Sequence, residues 1–371
     1  MLTVAFDNQT FLSEYYGGVA EYFVRLAQGL AQLDQVHPVF CGGLYRNYNL
    51  RALRGQGVEI RGLWLPHVPR KFRGQKYSES LCARQLRAVQ PDIIHETNYA
   101  FNPPGLDLKA HRVLTVYDMI HEKFMPDTAT PALKRAAIAR AEWIFCISET
   151  TRNDLLEYYP EVAARTSVTY LAGPEPAGPL PRPANLPEPY ILYVGNRAGY
   201  KNFATLLRAY AQAPQLHRQV RLAVYGGKPW SADELSSLAE LGIAQRVTIL
   251  PGSAPRTALY QHAEAFVFPS RYEGFGIPLL EAAAEGCPIV CSDTPCFREV
   301  AGDCATYFDP AEPESIATAI ARAIKSKSVL AGAAMALLGQ KYNWRKCSTA
   351  TYESYRAVSL NHSNTQALQG V

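Results

Sequence analysis

No stretch of the 371-residue sequence approaches the roughly 18 consecutive apolar residues needed to span a bilayer, which argues against a transmembrane helix. The eight cysteines (Cys41, Cys82, Cys146, Cys287, Cys291, Cys296, Cys304 and Cys347) include no Cys-x-x-Cys pair, so free thiols in a reducing compartment are expected rather than a disulfide framework. Cys287, Cys291 and Cys296 lie close together, but their spacing matches no usual zinc pattern and no histidine accompanies them. Neither sign of charge dominates. The 37 basic and 33 acidic residues leave a net +4, too little to argue for a nucleic-acid partner. No self-similar period of about 20 to 50 residues is visible, which argues against solenoids and propellers. Met1–Asp7 has neither the basic nor the apolar region of a secretory signal. A cytoplasmic protein is expected, able to visit a membrane surface.

What is present is ordinary globular material, 48% hydrophobic and 19% charged, long enough for two domains at about 150 residues each. Apolar, β-branched runs predict strands at Leu2–Phe6, Val36–Cys41, Val58–Leu63, Asp92–His95, Val113–Tyr117, Ile144–Ile147 and Ser167–Tyr170. A second series follows at Tyr190–Val194, Val220–Tyr225, Val247–Leu250, Ala265–Phe268 and Pro288–Cys291. Helix-period segments such as Val19–Leu33 and Pro131–Ala141 fill the gaps. Strands alternating with helices predict βαβ units, hence two doubly wound, Rossmann-like α/β domains. Between the two series, residues 173–189 hold seven prolines in seventeen positions. Such a stretch sustains neither helix nor central strand and reads as a semi-rigid spacer. The expected division is a first domain over 1–173, a linker over 174–189 and a second domain over 190–343. The polar segment 361–371 is expected to fray.

Ligands of doubly wound sheets bind beyond the C-terminal strand ends, where loops feed helix N-termini. Four such loops carry candidate chemistry. After the first strand, Gly17-Gly18 opens a helix and can let backbone N–H groups approach an anion; a plain glycine turn is the competing explanation. Neither domain has Gly-x-Gly-x-x-Gly after its first strand, which disfavours a nicotinamide or flavin cofactor. After Tyr190–Val194 come Gly195, Asn196, Arg197 and Lys201, two cations suited to a diphosphate, or else two surface charges. After Ala265–Phe268 the run Glu273-Gly274-Phe275-Gly276-Ile277-Pro278-Leu279-Leu280-Glu281 places proline at a helix start. Its glycines can bare N–H groups, and Glu273 and Glu281 bracket that start, able to accept from vicinal hydroxyls. Singly, Glu281 could just complement the helix dipole. After Val113–Tyr117, the cluster Asp118-Met119-Ile120-His121-Glu122 could bind a sugar or move a proton, though a surface histidine explains it as well. His95, ending the fourth strand, is a further candidate on this side.

The Glu273…Glu281 block resembles the E-x7-E motif of retaining glycosyltransferase family 4. Gly195-Asn196-Arg197…Lys201-Asn202 is similar to that family's phosphate loop, and Gly17-Gly18 to its N-terminal glycine loop. The wording of both second-domain motifs looks most like bacterial surface-polysaccharide mannosyltransferases. The resemblance covers about residues 1–360. It implies a GT-B fold, with two Rossmann-like domains facing a cleft and a final helix, about 344–360, packing back on the first and anchored by Trp344. It implies a nucleotide-sugar co-substrate, with GDP-mannose leading, and a saccharide acceptor. Arg197 and Lys201 would neutralise the diphosphate, Glu273 would hold sugar hydroxyls, Phe275 and Gly276 would offer N–H groups, and Glu281 would hold the ribose. The family's usual His-Asp is Tyr117-Asp118 here, so Asp118 or His121 would cover the histidine's role. The Asp-x-Asp of metal-dependent transferases is absent, so no metal is expected. A UDP- or dTDP-sugar transferase, a glycosyl phosphorylase, a sugar-nucleotide epimerase and a non-catalytic binding module are the alternatives.

Residues 61–87 add one more feature. Arg61, Arg70, Lys71, Arg73, Lys76, Arg84 and Arg87 face only one acid, Glu79, with Trp64, Phe72 and Tyr77 interleaved. That pattern suits peripheral contact with an anionic membrane and a lipid-linked acceptor; a solvated basic face is the alternative.

Overall fold

The computed structural model describes the chain apart from residues 14, 66–73, 104–105, 185, 187–188, 198, 327–333, 335–337 and 370–371, and only the backbone of 361–369. Two compact units result: Met1–Leu171 together with Trp344–Val371, and Ala172–Asn343.

The first unit is built on seven strands: β1 (Leu2–Phe6), β2 (Val36–Tyr45), β3 (Glu59–Trp64), β4 (Ile93–Glu96), β5 (His111–Val116), β6 (Trp143–Cys146) and β7 (Thr166–Val168). They pair in the order β3-β2-β1-β4-β5-β6-β7, all parallel. Helices cover such sheets on both faces, so their central strands read as unbroken apolar runs. Val4, Ala5 and Phe6 are accordingly fully buried. β2 runs four residues past its expected end because Gly42-Gly43 lets it continue through a register shift. At Gly43 φ is +54°, and a Cβ would lie 2.5 Å from the Ser78 carbonyl oxygen, so only glycine fits.

The second unit repeats the plan with β8 (Tyr190–Val194), β9 (Arg221–Tyr225), β10 (Val247–Ile249), β11 (Ala265–Phe268), β12 (Ile289–Ser292) and β13 (Ala305–Phe308). The order is β10-β9-β8-β11-β12-β13, again parallel throughout. Its core joins Ile191, Leu222, Val224 and Val267 to Leu206, Ile316 and Ile320 of the covering helices. Each such side chain, fully buried, stabilises the fold by about 1.5–3 kcal/mol. β13 was not anticipated from sequence.

Residues 173–183, proline-rich and without helix or strand, are strapped to the second unit rather than standing free as a spacer. The amide of Leu180 donates to Gln261 Oε1 at 2.8 Å and that of Ala177 to Glu285 Oε1 at 3.3 Å. The final helix, Trp344–Gln369, extends past the expected end near residue 360 and through the segment expected to fray. It belongs to the first unit, where the Trp344 ring lies 6.4 Å from Tyr22 and the Tyr355 hydroxyl meets His95. No helix among the described residues is long and apolar enough to cross a membrane.

In each sheet the strand order reverses about the first strand, between β1 and β4 and between β8 and β11. These are the topological switch points at which open α/β sheets bind ligands.

Candidate functional site

At the second unit's switch point, the loops leaving β8 and β11 are bonded to each other. The amide of Arg271 donates to the Tyr200 carbonyl at 2.8 Å. The β8 loop turns through Gly199–Lys201 and enters the helix Phe203–Ala211 at Asn202, whose φ is +59°. Asn202 tolerates this left-handed backbone, and its side-chain amide donates to the Pro310 carbonyl at 2.8 Å. These bonds bring Lys201 Nζ to 2.6 Å from Glu273 Oε1, with the two side chains 19% and 12% exposed. Gly276, at φ +92°, begins the helix Ile277–Ala284, with Pro278 at its second position. Phe275 buries its ring edge-on to Tyr342, 5.4 Å between centroids, so its side chain is structural and only its backbone can serve a ligand. Glu281 is buried on the same helix. Its Oε2 accepts from the Tyr260 hydroxyl at 2.9 Å, and its Oε1 lies 2.9 Å from Arg256 Nη2.

Arg197 does not join this group, contrary to the diphosphate role expected from sequence. Its guanidinium turns the other way. Nε donates to Glu234 Oε1 at 2.7 Å, Nη2 to the Lys228 carbonyl at 2.6 Å and Nη1 to that of Gly226 at 3.3 Å, while the Trp230 ring lies 4.6 Å away. Only 5% of the side chain is exposed. Glu234 also closes a capping box with Ser231 at the start of the helix Ala232–Glu240. Arg197 therefore fixes the loop leaving β9, where Gly226 and Gly227 have φ of +90° and +76°. A Cβ on Gly227 would meet Arg197 Nη1 at 2.8 Å. Asn196 faces the loop differently, its carbonyl accepting from the Tyr193 hydroxyl.

In the first unit, Gly17 caps the helix Gly18–Leu30 with extended backbone. A Cβ on Gly18 would meet nothing within 4 Å, so neither crowding nor a positive φ requires glycine there. Between the loops after β1 and β4 sits Asp7, which the sequence reading missed. It is fully buried and accepts from Gln9 N at 3.0 Å, Gln9 Nε2 at 2.8 Å and the Thr97 hydroxyl. Burial pushes its carboxyl up to about 6, against the pull of the Thr97 hydrogen bond. Next to Thr97 in sequence, Glu96 is 1% exposed and holds Arg112 at 2.7 Å and Arg140 at 2.6 Å. Removing one member of such a buried cluster costs about 3–5 kcal/mol.

Asp118 lies just before the short helix Ile120–Phe124, its carboxylate accepting from Ile120 N at 2.9 Å. Its carbonyl takes a 2.8 Å hydrogen bond from Lys134, whose ammonium is also paired with Glu122 at 2.7 Å, both side chains under 5% exposed. His121 is half-buried on the same turn. The Tyr117 hydroxyl, at the position where the resemblance leads one to expect histidine, is buried without a hydrogen-bond partner. His95 is withdrawn from the acceptor side. It is fully buried, its ring nitrogens 2.5 Å from the Tyr355 hydroxyl and 2.7 Å from Thr115 Oγ1, and burial drives its pKa down to about 3. It is a neutral link inside the core.

Of the basic segment 61–87, Arg70, Lys71, Phe72 and Arg73 lie outside the described residues. Arg61 pairs with Glu59. Trp64 is packed on Tyr45 and Tyr48, with Arg51 stacked 4.7 Å away, so its ring is already engaged. All eight cysteines are buried and unbridged. Among the described residues no group of three or more His, Cys, Asp or Glu side chains could hold a metal ion.

Comparison with known proteins places these features in context. Residues 17–172 match the Glycosyl transferase 4-like domain, and residues 181–334 match Glycosyl transferases group 1. The chain is 31% identical over 233 residues to O-antigen chain mannosyltransferase B of Escherichia coli, covering 59% of this chain and 61% of that protein. It is 25% identical over 314 residues to the serotype-specific mannosyltransferase WbdA of the same organism, covering 76% of this chain. The chain spans only 38% of WbdA. Among solved structures, Anabaena HepE with UDP and glucose superposes over 96% of this chain and all of its own, with a TM-score of 0.73 at 16% identity. That likeness is one of fold.

Proposed function

The chain belongs to the family-4 glycosyltransferases of the GT-B fold, and from that premise we propose that it is a retaining, metal-independent transferase. It moves mannose from GDP-mannose to a saccharide acceptor in bacterial surface-polysaccharide or O-antigen synthesis. The observation that carries this reading is the meeting of Lys201 and Glu273 at 2.6 Å on two loops of one switch point, with Glu281 on the helix that follows. Mannose is supported by the mannosyltransferases to which the chain is similar.

In this reading Lys201 neutralises the diphosphate as it leaves. A charge fixed in place before the reaction lowers the barrier without reorganisation. Glu273 orients hydroxyls of the donor sugar, and Glu281 takes those of the remote ribose. The acceptor hydroxyl attacks the anomeric carbon from the leaving-group face. The new carbon–oxygen bond forms as the bond to the diphosphate breaks, and a diphosphate oxygen takes the proton. That course retains configuration without an enzyme nucleophile. Because Lys201 supplies the cation and the sequence has no Asp-x-Asp, activity is expected to survive excess chelator. Complete loss, restored by magnesium or manganese, overturns metal independence.

A lipid-linked acceptor, met at an anionic membrane through residues 61–87, belongs to the same proposal. It is checked by co-sedimentation with anionic liposomes, which should fall with salt. The donor is tested by thermal stabilisation across GDP-, UDP- and dTDP-sugars. A true donor at 100 times its dissociation constant adds about 2.7 kcal/mol. Stabilisation by none of them refutes the donor-site assignment.

A further inference from the structure

We propose that Tyr260 and Arg256 are positioning residues for Glu281, fixing the plane of its carboxylate so that it reads the two vicinal hydroxyls of the donor's ribose. The inference rests on the donor site proposed above and deepens it. Both residues lie on the helix Arg256–Gln261, one turn apart and so on one face. They divide the carboxylate between them. The Tyr260 hydroxyl donates to Oε2 at 2.9 Å and Arg256 Nη2 stands 2.9 Å from Oε1. One donor on each oxygen defines a plane, which a single donor cannot do.

The two partners differ in a useful way. Tyr260 is 1% exposed and packs edge-on against Phe266 at 5.4 Å. Burial and the neighbouring carboxylate hold its hydroxyl well above the usual tyrosine range, so it remains a proton donor at every working pH. The Arg256 side chain is 49% exposed against 9% for Glu281. It brings a permanent positive charge to the rim of a buried carboxyl group whose oxygens can accept from two hydroxyls. The supporting helix is itself held. The Tyr190 hydroxyl donates to the Leu259 carbonyl at 2.7 Å, and Gln261 Nε2 donates to Glu285 Oε2 at 2.6 Å, one turn beyond Glu281. A carboxylate oriented before the ligand arrives loses less freedom on binding than one that must be ordered then.

The test is isothermal calorimetry with GDP and UDP and their 2′,3′-dideoxy analogues, on wild type, Tyr260→Phe, Arg256→Ala, Glu281→Gln and Tyr260→Phe/Glu281→Gln. For whichever nucleotide the wild type binds, Tyr260→Phe and Arg256→Ala should each weaken the ribose form about tenfold, as loss of a hydrogen bond to a charged group does. The dideoxy form should change less than about twofold, and Tyr260→Phe should cost nothing further once Glu281 is Gln. Equal loss for both sugar forms, or no loss for either, overturns the positioning role. A wild type that binds neither GDP nor UDP overturns this inference, and only if dTDP also fails to bind does the donor site fall with it.

Discussion

Arg197 donates from Nε to Oε1 of Glu234 at 2.7 Å, and so closes the loop after β9 onto the loop after β8. Its bonds shape the loops, while Lys201, four residues on, pairs with Glu273 and is the cation proposed for the diphosphate. Arg197→Ala should therefore cost about 2 kcal/mol of stability, the scale of a charged hydrogen bond lost from a mostly buried site. Glu234→Ala should cost a similar amount, and the double variant little more than either. Lysine at 197 should not rescue, since it lacks the planar fork that spans Glu234 and the carbonyls of Gly226, Lys228 and Pro229. Urea denaturation measures all four variants. Unchanged stability with a hundredfold loss of turnover would instead return Arg197 to the diphosphate.

Lys201→Ala should lower transfer by about two to three orders of magnitude, the effect of removing a fixed charge from a leaving group. Steady-state kinetics with the donor identified by the stabilisation screen decides this. Activity within about threefold of wild type rejects the role.

Glu273→Gln should reduce turnover about a hundredfold while leaving GDP binding unchanged or tighter. The asymmetry follows from the proposed role and from one observed contact. In the proposed site Glu273 takes the reacting sugar, so its contacts matter most in the transition state. It also neutralises Lys201 at 2.6 Å, and the amide releases that cation to the diphosphate. A weaker affinity for bare GDP, matching the loss of turnover, contradicts the assignment.

His95 should add an acid-destabilising slope well above the usual carboxylate range, opposed below about pH 6 by Asp7, whose raised carboxyl takes its proton first in the folded state. The pKa of His95 falls from 6.5 in the open chain to about 3 when folded, so the unfolded state binds the proton first. The stability it contributes is complete above pH 6.5 and is lost, by about 1.4 kcal/mol per unit, as pH falls toward 3. His95→Gln should flatten that slope by about one proton in urea midpoints between pH 7 and 4.5. An unaltered slope would mean the ring titrates normally.

The sequence showed the sheets because buried parallel strands are short apolar runs. β1, β8 and β11 occur over the residues read for them, since Leu2–Phe6, Tyr190–Val194 and Ala265–Phe268 are nearly all apolar and flanked by polar turns. β13 escaped because it is an edge strand whose alternate residues Ala305 and Tyr307 are half-exposed, leaving too little apolar signal in four residues. In the candidate site, the meeting of the Lys201 and Glu273 loops, with Glu281 on the helix that follows, agrees with the spacing along the chain. The direction of Arg197 was not legible there. Whether a cation among the eight residues between β8 and the next α-helix turns toward one strand end or another depends on Trp230 and Glu234, which lie in the segment after β9. His95 misled for a related reason, because its partner Tyr355 is 260 residues away. Gly226-Gly227 was a usable signal, a glycine pair directly after a strand.

The bond between His95 and Tyr355 has a consequence for how the protein is made. A chain emerging from the ribosome offers β1 to β7 long before Tyr355 exists. Until it arrives, the first unit lacks the ring that packs edge-on against Phe145 and His95, at 5.6 and 5.8 Å. The second unit, contiguous from Ala172 to Asn343, can finish first even though it is synthesised later. The order of completion then runs against the order of synthesis, because the first unit closes its core on His95 only once Tyr355 has been made.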